Sequence, residues 1–196
     1  MLSVTQVLDY LTEPELLNWY ITKGKAACKK IGDAALRVGT IVDKLIQDDL
    51  KGEGYLLPGE DAQIENCMMA WEKFKKDWPL KIQTIEGIQQ EVTDGEIVGH
   101  PDIITEWGII DIKTSRAIQP RYWTQTAKYA QMAGKPKIAI LRLDKELGIY
   151  EWKEQGQEVI DYEIGVFNAY LTAYKHNTII REIIRKQLEA EVLGVN

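Results

Sequence analysis

The sequence predicts an α/β fold: a central mixed β-sheet flanked by helices, with an N-terminal helical segment. Three observations point there. Apolar residues recur at helical spacing through the first 80 positions and again after position 156. Between 81 and 155 the chain breaks into short isoleucine- and valine-rich runs separated by turn dipeptides. One helical stretch interrupts those runs, giving the order helices, three strands, helix, two strands, helix. The length, 196 residues, suits a single domain. Within it, 1–80 is mainly helical, 81–155 is the sheet with its inserted helix, and 156–196 is a final helix.

Each element has a local reason. Ser3 and Gln6 form a capping-box pattern, which predicts a short helix over Ser3 to Leu11. "TEPELLNWYI" restarts a helix, with Pro14 suited to its first turn. Ile31, Ala35, Val38, Val42, Leu45 and Ile46 keep helical spacing within a helix over Ala26 to Leu50. "KGEGYLLPGED" is a loop by its glycines and Pro58, and a helix follows over Ala62 to Trp78. "KIQTIEGIQQEVTD" reads as one strand, and "EIVGHPDIITEWGIIDIKTS" supplies two more. Turns fall at Asp94-Gly95 and Trp107-Gly108. Gln119 to Ala133 is helical, with Pro120 near its start. "PKIAILRLDKELGIYEW" is a hairpin turning near Glu146 to Gly148, and Glu158 to Ala190 is the last helix. Trp19, Trp71 and Trp78 are read as core.

Composition removes some classes of function. No apolar run reaches the ~18 residues of a membrane-spanning helix, so no membrane role is expected. The opening "MLSVTQVLDYL" lacks the basic start and apolar core of a signal peptide, so a cytoplasmic location is expected. Cys28 and Cys67 show no metal-site spacing and read as reduced core thiols. Two cysteines also fall short of the four thiolates of an ordinary iron–sulfur cluster. The net charge is −6, from 24 basic and 30 acidic side chains, which is not the basic signature of a nucleic-acid binder. A local groove of Lys and Arg still acts within a Debye length of ~8–10 Å, while distant acids are screened.

The stretch "GHPDIITEWGIIDIKTS" places Asp102, Asp111 and Lys113 among isoleucines. Strand interiors exclude charges unless these are paired or bound to metal. Side chains alternate along "IIDIK", so Asp111 and Lys113 share one face and Ile110 and Ile112 the other. If the turn near Trp107 pairs the two strands, Asp102 approaches Asp111. Two neighbouring carboxylates raise one another's pKa unless a cation lies between them. Mg²⁺ or Mn²⁺ meets that need with oxygen ligands, to which the Ile112 carbonyl could add one. Lys113 would then orient or deprotonate a water, or stabilise charge on a phosphate. A bare D-x-K is more often a surface ion pair.

Context changes that reading. "GHPD", "DIK" and "QTAKY" occur in the order and spacing of G-x-x-D, D-x-K and Q-x-x-x-Y signatures. In these motifs the sequence resembles the PD-(D/E)XK nuclease superfamily, within it the RecB-like and phage exonuclease branch. "SVTQVLDYLTEPELLNWYI" looks like the opening of phage members, and "VGTIVDKLI" resembles their G-T-x-x-H helix with Asp43 in place of the histidine. The resemblance implies a restriction-endonuclease-like core, with Asp102 and Asp111 as metal ligands and Lys113 as the catalytic lysine. It implies that Gln125 and Tyr129 position DNA or active-site groups. The activity implied is a divalent-metal-dependent DNA exonuclease serving recombination, replication or repair, with linear DNA ends as partner. It leaves room for a homo-oligomer and for recombination or replication partner proteins. Two other functions compete: an endonuclease of the same superfamily, and a non-catalytic nucleic-acid-binding or assembly module.

Several further residues carry alternatives. Asp43 either replaces an imidazole with a carboxylate ligand or is a solvated helix acid. Glu91 either binds metal through water or orients Lys113, or is a strand-end acid in water. His100, beside Pro101, reads as structural or DNA-contacting rather than as a ligand. On their helix, Trp123, Ala127, Ala130 and Gly134 form one stripe, and Tyr122, Gln125 and Tyr129 fall opposite. That second face either lines a cleft or packs in the core. Arg116 and Arg121 lie close enough to Lys113 to meet phosphates, as does Lys128 on the Gln/Tyr helix. Lys23, Lys25, Lys29, Lys30 and Arg37 could form a second basic surface.

Overall fold

Isoleucine builds the centre of the molecule. The computed structural model describes residues 1–10, 21–59, 61–78 and 84–193, with Lys25 and residues 187–193 described by backbone alone. The elements in chain order are β1 (Leu2–Ser3), α1 (Val4–Leu8), α2 (Lys25–Leu50), α3 (Ala62–Asp77), β2 (Ile85–Ile88), β3 (Val92–Thr93) and β4 (Ile97–Gly99). There follow β5 (Ile103–Thr105), β6 (Ile109–Lys113), α4 (Pro120–Ala133), β7 (Ile138–Leu143), β8 (Tyr150–Gln155) and α5 (Gln157–Leu193).

The main sheet has the order β2-β5-β6-β7-β8. β6 and β7 run parallel, joined through α4, and the other neighbours pair antiparallel. A parallel pair needs such a crossover, and the crossover places a helix over the sheet. A smaller sheet, β1-β4-β3, stands beside it, with β1 parallel to β4. On one face α2 and α3 bring Val38, Val42, Ile46, Ile64, Met68, Trp71 and Phe74 against Ile103, Ile110, Leu141 and Leu143. On the other, α1, α4 and α5 bring Val7, Ala127, Ala130, Ile160 and Phe167 against Ile104, Ile109 and Ile138. All six residues of β7 are buried. Cover on both faces explains why this strand is apolar instead of alternating, except at Arg142, whose guanidinium is paired with Asp144 and Glu151. Each fully buried large side chain contributes about 1.5–3 kcal/mol.

The helices fall where the sequence predicts them, within a few residues. Ser3 caps α1 as expected: its Oγ accepts from Gln6 N at 3.1 Å and its own N–H donates to Gln6 Oε1 at 2.9 Å. The helix stops at Leu8, short of Leu11. The helix expected around Pro14 and the core placement of Trp19 lie outside the described residues, as does the start of the strand expected from Lys81. Pro120 opens α4 and Gly134, at φ 65°, closes it. The β7–β8 turn is held by Asp144, whose Oδ1 accepts from Glu146 N and Leu147 N. Cys28 and Cys67 are buried free thiols. No described helix is long and apolar enough to cross a membrane.

Three expectations are corrected. Between 84 and 115 the chain makes five short strands instead of three. The bends at Gln89–Glu91 and at His100–Asp102 divide the longer runs, the second because Pro101 has no N–H to give a ladder. Asp102 therefore sits just before β5 rather than within a strand, and Glu91 lies between β2 and β3. Ile31 is 52% exposed. With 26 residues, α2 is ~39 Å long, about twice a five-residue strand, so its first turns overhang the sheet and wall a cleft. Trp78 is also partly exposed, stacked on Trp152 at the rim with its indole donating to the Tyr150 hydroxyl at 3.0 Å.

One charge pair ties α4 to the turn of the smaller sheet. Lys128 on α4 is buried, and its Nζ lies 2.6 Å from Asp94 Oδ2 and 2.8 Å from Gln131 Oε1. Asp94→Ala strands that ammonium in the protein interior. Because Asp94 itself is over a third exposed, the expected loss is below that of a wholly buried pair, about 2–3 kcal/mol in urea unfolding.

Candidate active site

The register of the β5–β6 hairpin assembles the site. Ile103 pairs with Ile110, so the residue preceding β5, Asp102, comes alongside Asp111. Asp102 Oδ2 accepts the Ile112 N–H at 2.6 Å, and Oδ1 accepts Gln89 Nε2 at 2.7 Å. Within a strand, a residue's N–H and C=O point to the same edge. The Ile112 carbonyl therefore points to the edge that Asp102 occupies. Asp111 is 2% exposed, and its Oδ2 lies 2.8 Å from Lys113 Nζ. That ammonium is the partner of an oxygen otherwise sealed from solvent, with no other hydrogen-bond donor to it among the described residues.

The charges here are costly. Burial pushes the Asp111 carboxyl up to about 7; Lys113 opposes this and Asp102 adds to it. Burial likewise raises Asp102, against Lys113 and the Ile112 and Gln89 donors. For Lys113, burial works against the charge, but Asp111 and Asp102 outweigh it and hold its pKa above the usual lysine value. Asp43 is raised by burial and by Asp102, against the amides of Gln47 and Gln89.

Lys113 is held from the other side by α4. Its Nζ donates to Gln125 Oε1 at 3.2 Å, and Gln125 Nε2 donates to the Tyr129 hydroxyl at 2.9 Å. The Tyr122 ring lies 5.0 Å from Nζ, within cation–π range. The Tyr/Gln face thus does both things the sequence left open. Tyr122 lines the cleft, Gln125 touches Lys113, and Tyr129 is buried in the core. Gly99 makes room for that tyrosine: a Cβ there would lie 2.3 Å from Tyr129 Cε1. This gives the glycine of "GHPD" a physical reason. Gly99→Ala is expected to displace Tyr129, cost about 1–3 kcal/mol in thermal or urea unfolding, and loosen the Gln125–Lys113 contact.

These groups open into a cleft of about 1080 Å³, lined by Asp43, Asp102, Ile112, Lys113, Arg116 and Tyr122, with Lys23, Lys145 and the exposed start of α2 on its walls. Asp43 is brought in through Gln89, whose Nε2 also lies 3.3 Å from Asp43 Oδ1. Arg116 is exposed on the cleft wall. Arg121 is paired with Asp9, and Lys128 is committed to Asp94, so neither stands as a free phosphate contact. Of the second basic surface, Arg37 pairs with Asp61, and Lys23 faces the cleft. Glu91 faces His100 at 3.7 Å, and among the described residues no hydrogen bond or ion pair joins it to Asp102, Asp111 or Lys113. Gln89 was missed in the sequence. Its signal was Gly87, a glycine inside a strand pattern, which marks a bulge.

The donor set fits a hard divalent cation in part. Among the described residues no three His, Cys, Asp or Glu side chains are grouped to hold a metal ion. The two carboxylates of Asp102 and Asp111 and one backbone carbonyl do suit Mg²⁺ or Mn²⁺, which commonly take one or two carboxylates and complete their shell with water and phosphate oxygens.

No protein-family model matches the chain. No curated protein matches it. Among solved structures it is similar to an alkaline exonuclease from Laribacter hongkongensis, at 15% identity and TM-score 0.44, covering 96% of this chain and 93% of that one. The same enzyme in complex with dAMP gives 14% identity and TM-score 0.45 over 96% and 93%. A phage related exonuclease from Haemophilus somnus 129PT gives 14% identity and TM-score 0.43 over 93% and 96%. What the chain is similar to is thus a set of exonucleases at low identity, and its own architecture is a mixed sheet flanked by helices.

Proposed function

We propose that this protein is a divalent-metal-dependent deoxyribonuclease of the PD-(D/E)XK type, acting as an exonuclease on linear DNA. The observation that carries the reading is the Asp102–Asp111–Lys113 group: Asp102 and Lys113 line the cleft, and Asp111 is buried directly behind them with its Oδ2 2.8 Å from the Lys113 ammonium. Asp102, Asp111 and the Ile112 carbonyl would hold Mg²⁺ or Mn²⁺. When bound, such an ion polarises a phosphate oxygen and lowers the pKa of its water.

The chain's own residues supply the rest. Lys113, beside the two carboxylates and facing the cleft, would orient or deprotonate a water or stabilise charge developing on the phosphate. Gln125 fixes the direction of its Nζ, and Tyr129 fixes Gln125. Arg116, with Lys23 and Lys145, offers phosphate contacts that position the strand without reading its sequence.

The test uses DNA labelled at the 5′ or 3′ end, single- and double-stranded, with a closed circle alongside, in Mg²⁺ or Mn²⁺. Metal-dependent release of mononucleotides or short products from linear DNA, with the circle intact, is the expected result. Cutting of the circle assigns an endonuclease instead. Tight DNA binding with no turnover in either metal assigns a non-catalytic module. Cleavage that survives Asp111→Ala and Lys113→Ala unchanged rejects the site.

A further inference from the structure

Gln89 is the described non-glycine residue with positive φ, at 50°. The left-handed region crowds a Cβ and is seldom adopted without a local reason. The chain prepares this conformation two residues earlier, where β2 bulges: its register against β5 shifts between Ile85 and Gly87. Bulges commonly re-aim a side chain beside a functional site. The Gln90 side chain folds over Gly87, where a Cβ would sit 2.4 Å from Gln90 Oε1 and displace that amide.

The result aims the Gln89 amide into the site. Its Nε2 lies 2.7 Å from Asp102 Oδ1 and 3.3 Å from Asp43 Oδ1, one N–H for each carboxylate. Its backbone N–H donates to the Asp102 carbonyl at 3.1 Å. The second Asp43 oxygen accepts from Gln47 Nε2 at 2.9 Å. Both Asp43 oxygens are therefore engaged by amides, whereas Asp111 Oδ2 has only the Lys113 ammonium beside it.

We infer that Gln89 is a positioning residue for the divalent-cation site: its amide holds Asp102 in place beside Asp111 and keeps Asp43 as a neighbouring anion instead of a ligand. The inference rests on the metal-dependent reading above and adds a residue to it. A neutral double donor suits the place. A carboxylate there would add a further buried charge, and a shorter side chain would leave Asp102 fixed by the Ile112 N–H alone. Partners that orient a metal ligand typically change affinity by about 10–100-fold when removed.

The test is calorimetric titration of Mn²⁺ into the metal-free full-length protein without DNA. Gln89→Gly accepts a φ of 50° freely, which offsets part of the cost of the lost amide contacts, and it should bind Mn²⁺ about 10–100-fold more weakly while still folding cooperatively. Gln89→Asn also tolerates this backbone but falls one methylene short, and should lose affinity similarly. Asp102→Asn should abolish binding, and Asp43→Asn should weaken it without abolishing it. Affinity within twofold of wild type in both Gln89 variants overturns the clamp. Loss of binding in Asp43→Asn as complete as in Asp102→Asn overturns the assignment of Asp43. A wild-type protein that takes up no Mn²⁺ overturns the underlying metal reading, a distinct result.

Discussion

Lys113→Ala is expected to slow DNA cleavage by about 10²–10⁴-fold while tightening Mn²⁺ binding. The two effects follow from one position. The ammonium stands 2.8 Å from Asp111 Oδ2, and Asp111 and Asp102 keep it protonated against its own burial. It is thus a resident counter-ion for the carboxylates a divalent cation would use, and it competes with that cation for them. Removing it leaves a more negative site, which attracts the ion more strongly. The same removal deletes the donor closest to where charge would develop on the phosphate. Without metal, the variant keeps two buried carboxylates lacking their cation, a loss of about 3–5 kcal/mol. Single-turnover cleavage at saturating Mn²⁺, Mn²⁺ titration, and urea unfolding in chelator measure the three quantities separately. A purely structural lysine would lose stability and leave saturated cleavage intact. Weaker Mn²⁺ binding in the variant would argue against the shared-carboxylate arrangement.

Helices and their ends were legible in the sequence because the signals are local: the Ser3/Gln6 box, the Pro120 start, the Gly134 stop and the 3.6-residue period of α2. The order of the charged motifs was legible too, and the β5–β6 register then brings Asp102 and Asp111 side by side. What the sequence hid depends on distance. Nothing near Lys128 says that it will be buried against Asp94, 34 positions earlier. The helical wheel separated Tyr129 from the alanine stripe, yet the missing side chain of Gly99 opens a socket for its ring. Ile31 kept the helical period but lies beyond the end of the sheet that would have covered it. Gln89 carries no chemistry that marks a metal site; Gly87 hints at the bulge, but neither it nor Gln89 announces the positive φ that aims the amide at Asp102.

The same buried carboxylates predict an unusual pH dependence. In chelator, the protein should become less stable as pH rises from about 5 to 8, by a few kcal/mol. The Asp111 carboxyl is pushed from 3.8 to about 7 by burial, with Lys113 opposing and Asp102 reinforcing. Between those values the folded protein holds a proton that the unfolded chain has lost. The contribution is therefore fully present below 3.8 and disappears as pH climbs through about 7. Each pH unit of difference is worth ~1.4 kcal/mol, and the raised Asp102 and Asp43 carboxyls act in the same direction. On the acid side the trend reverses. Burial works to raise Asp94, but Lys128 and the backbone N–H groups of Ile97 and Glu96 outweigh it and bring it to about 2. That carboxylate's contribution is present above 3.8 and is lost as pH falls toward about 2. Added Mn²⁺ should flatten or invert the neutral slope, because an ion binds the ionised carboxylates, competes with their protons and stabilises the state it binds. Asp111→Asn should show a shallower slope than wild type between pH 5 and 8 in chelator. Urea unfolding at pH 5, 6, 7 and 8 in chelator and in Mn²⁺ measures this directly. Equal slopes for wild type and Asp111→Asn would place the missing proton elsewhere, and with it the cost that makes this fold ready to accept a cation.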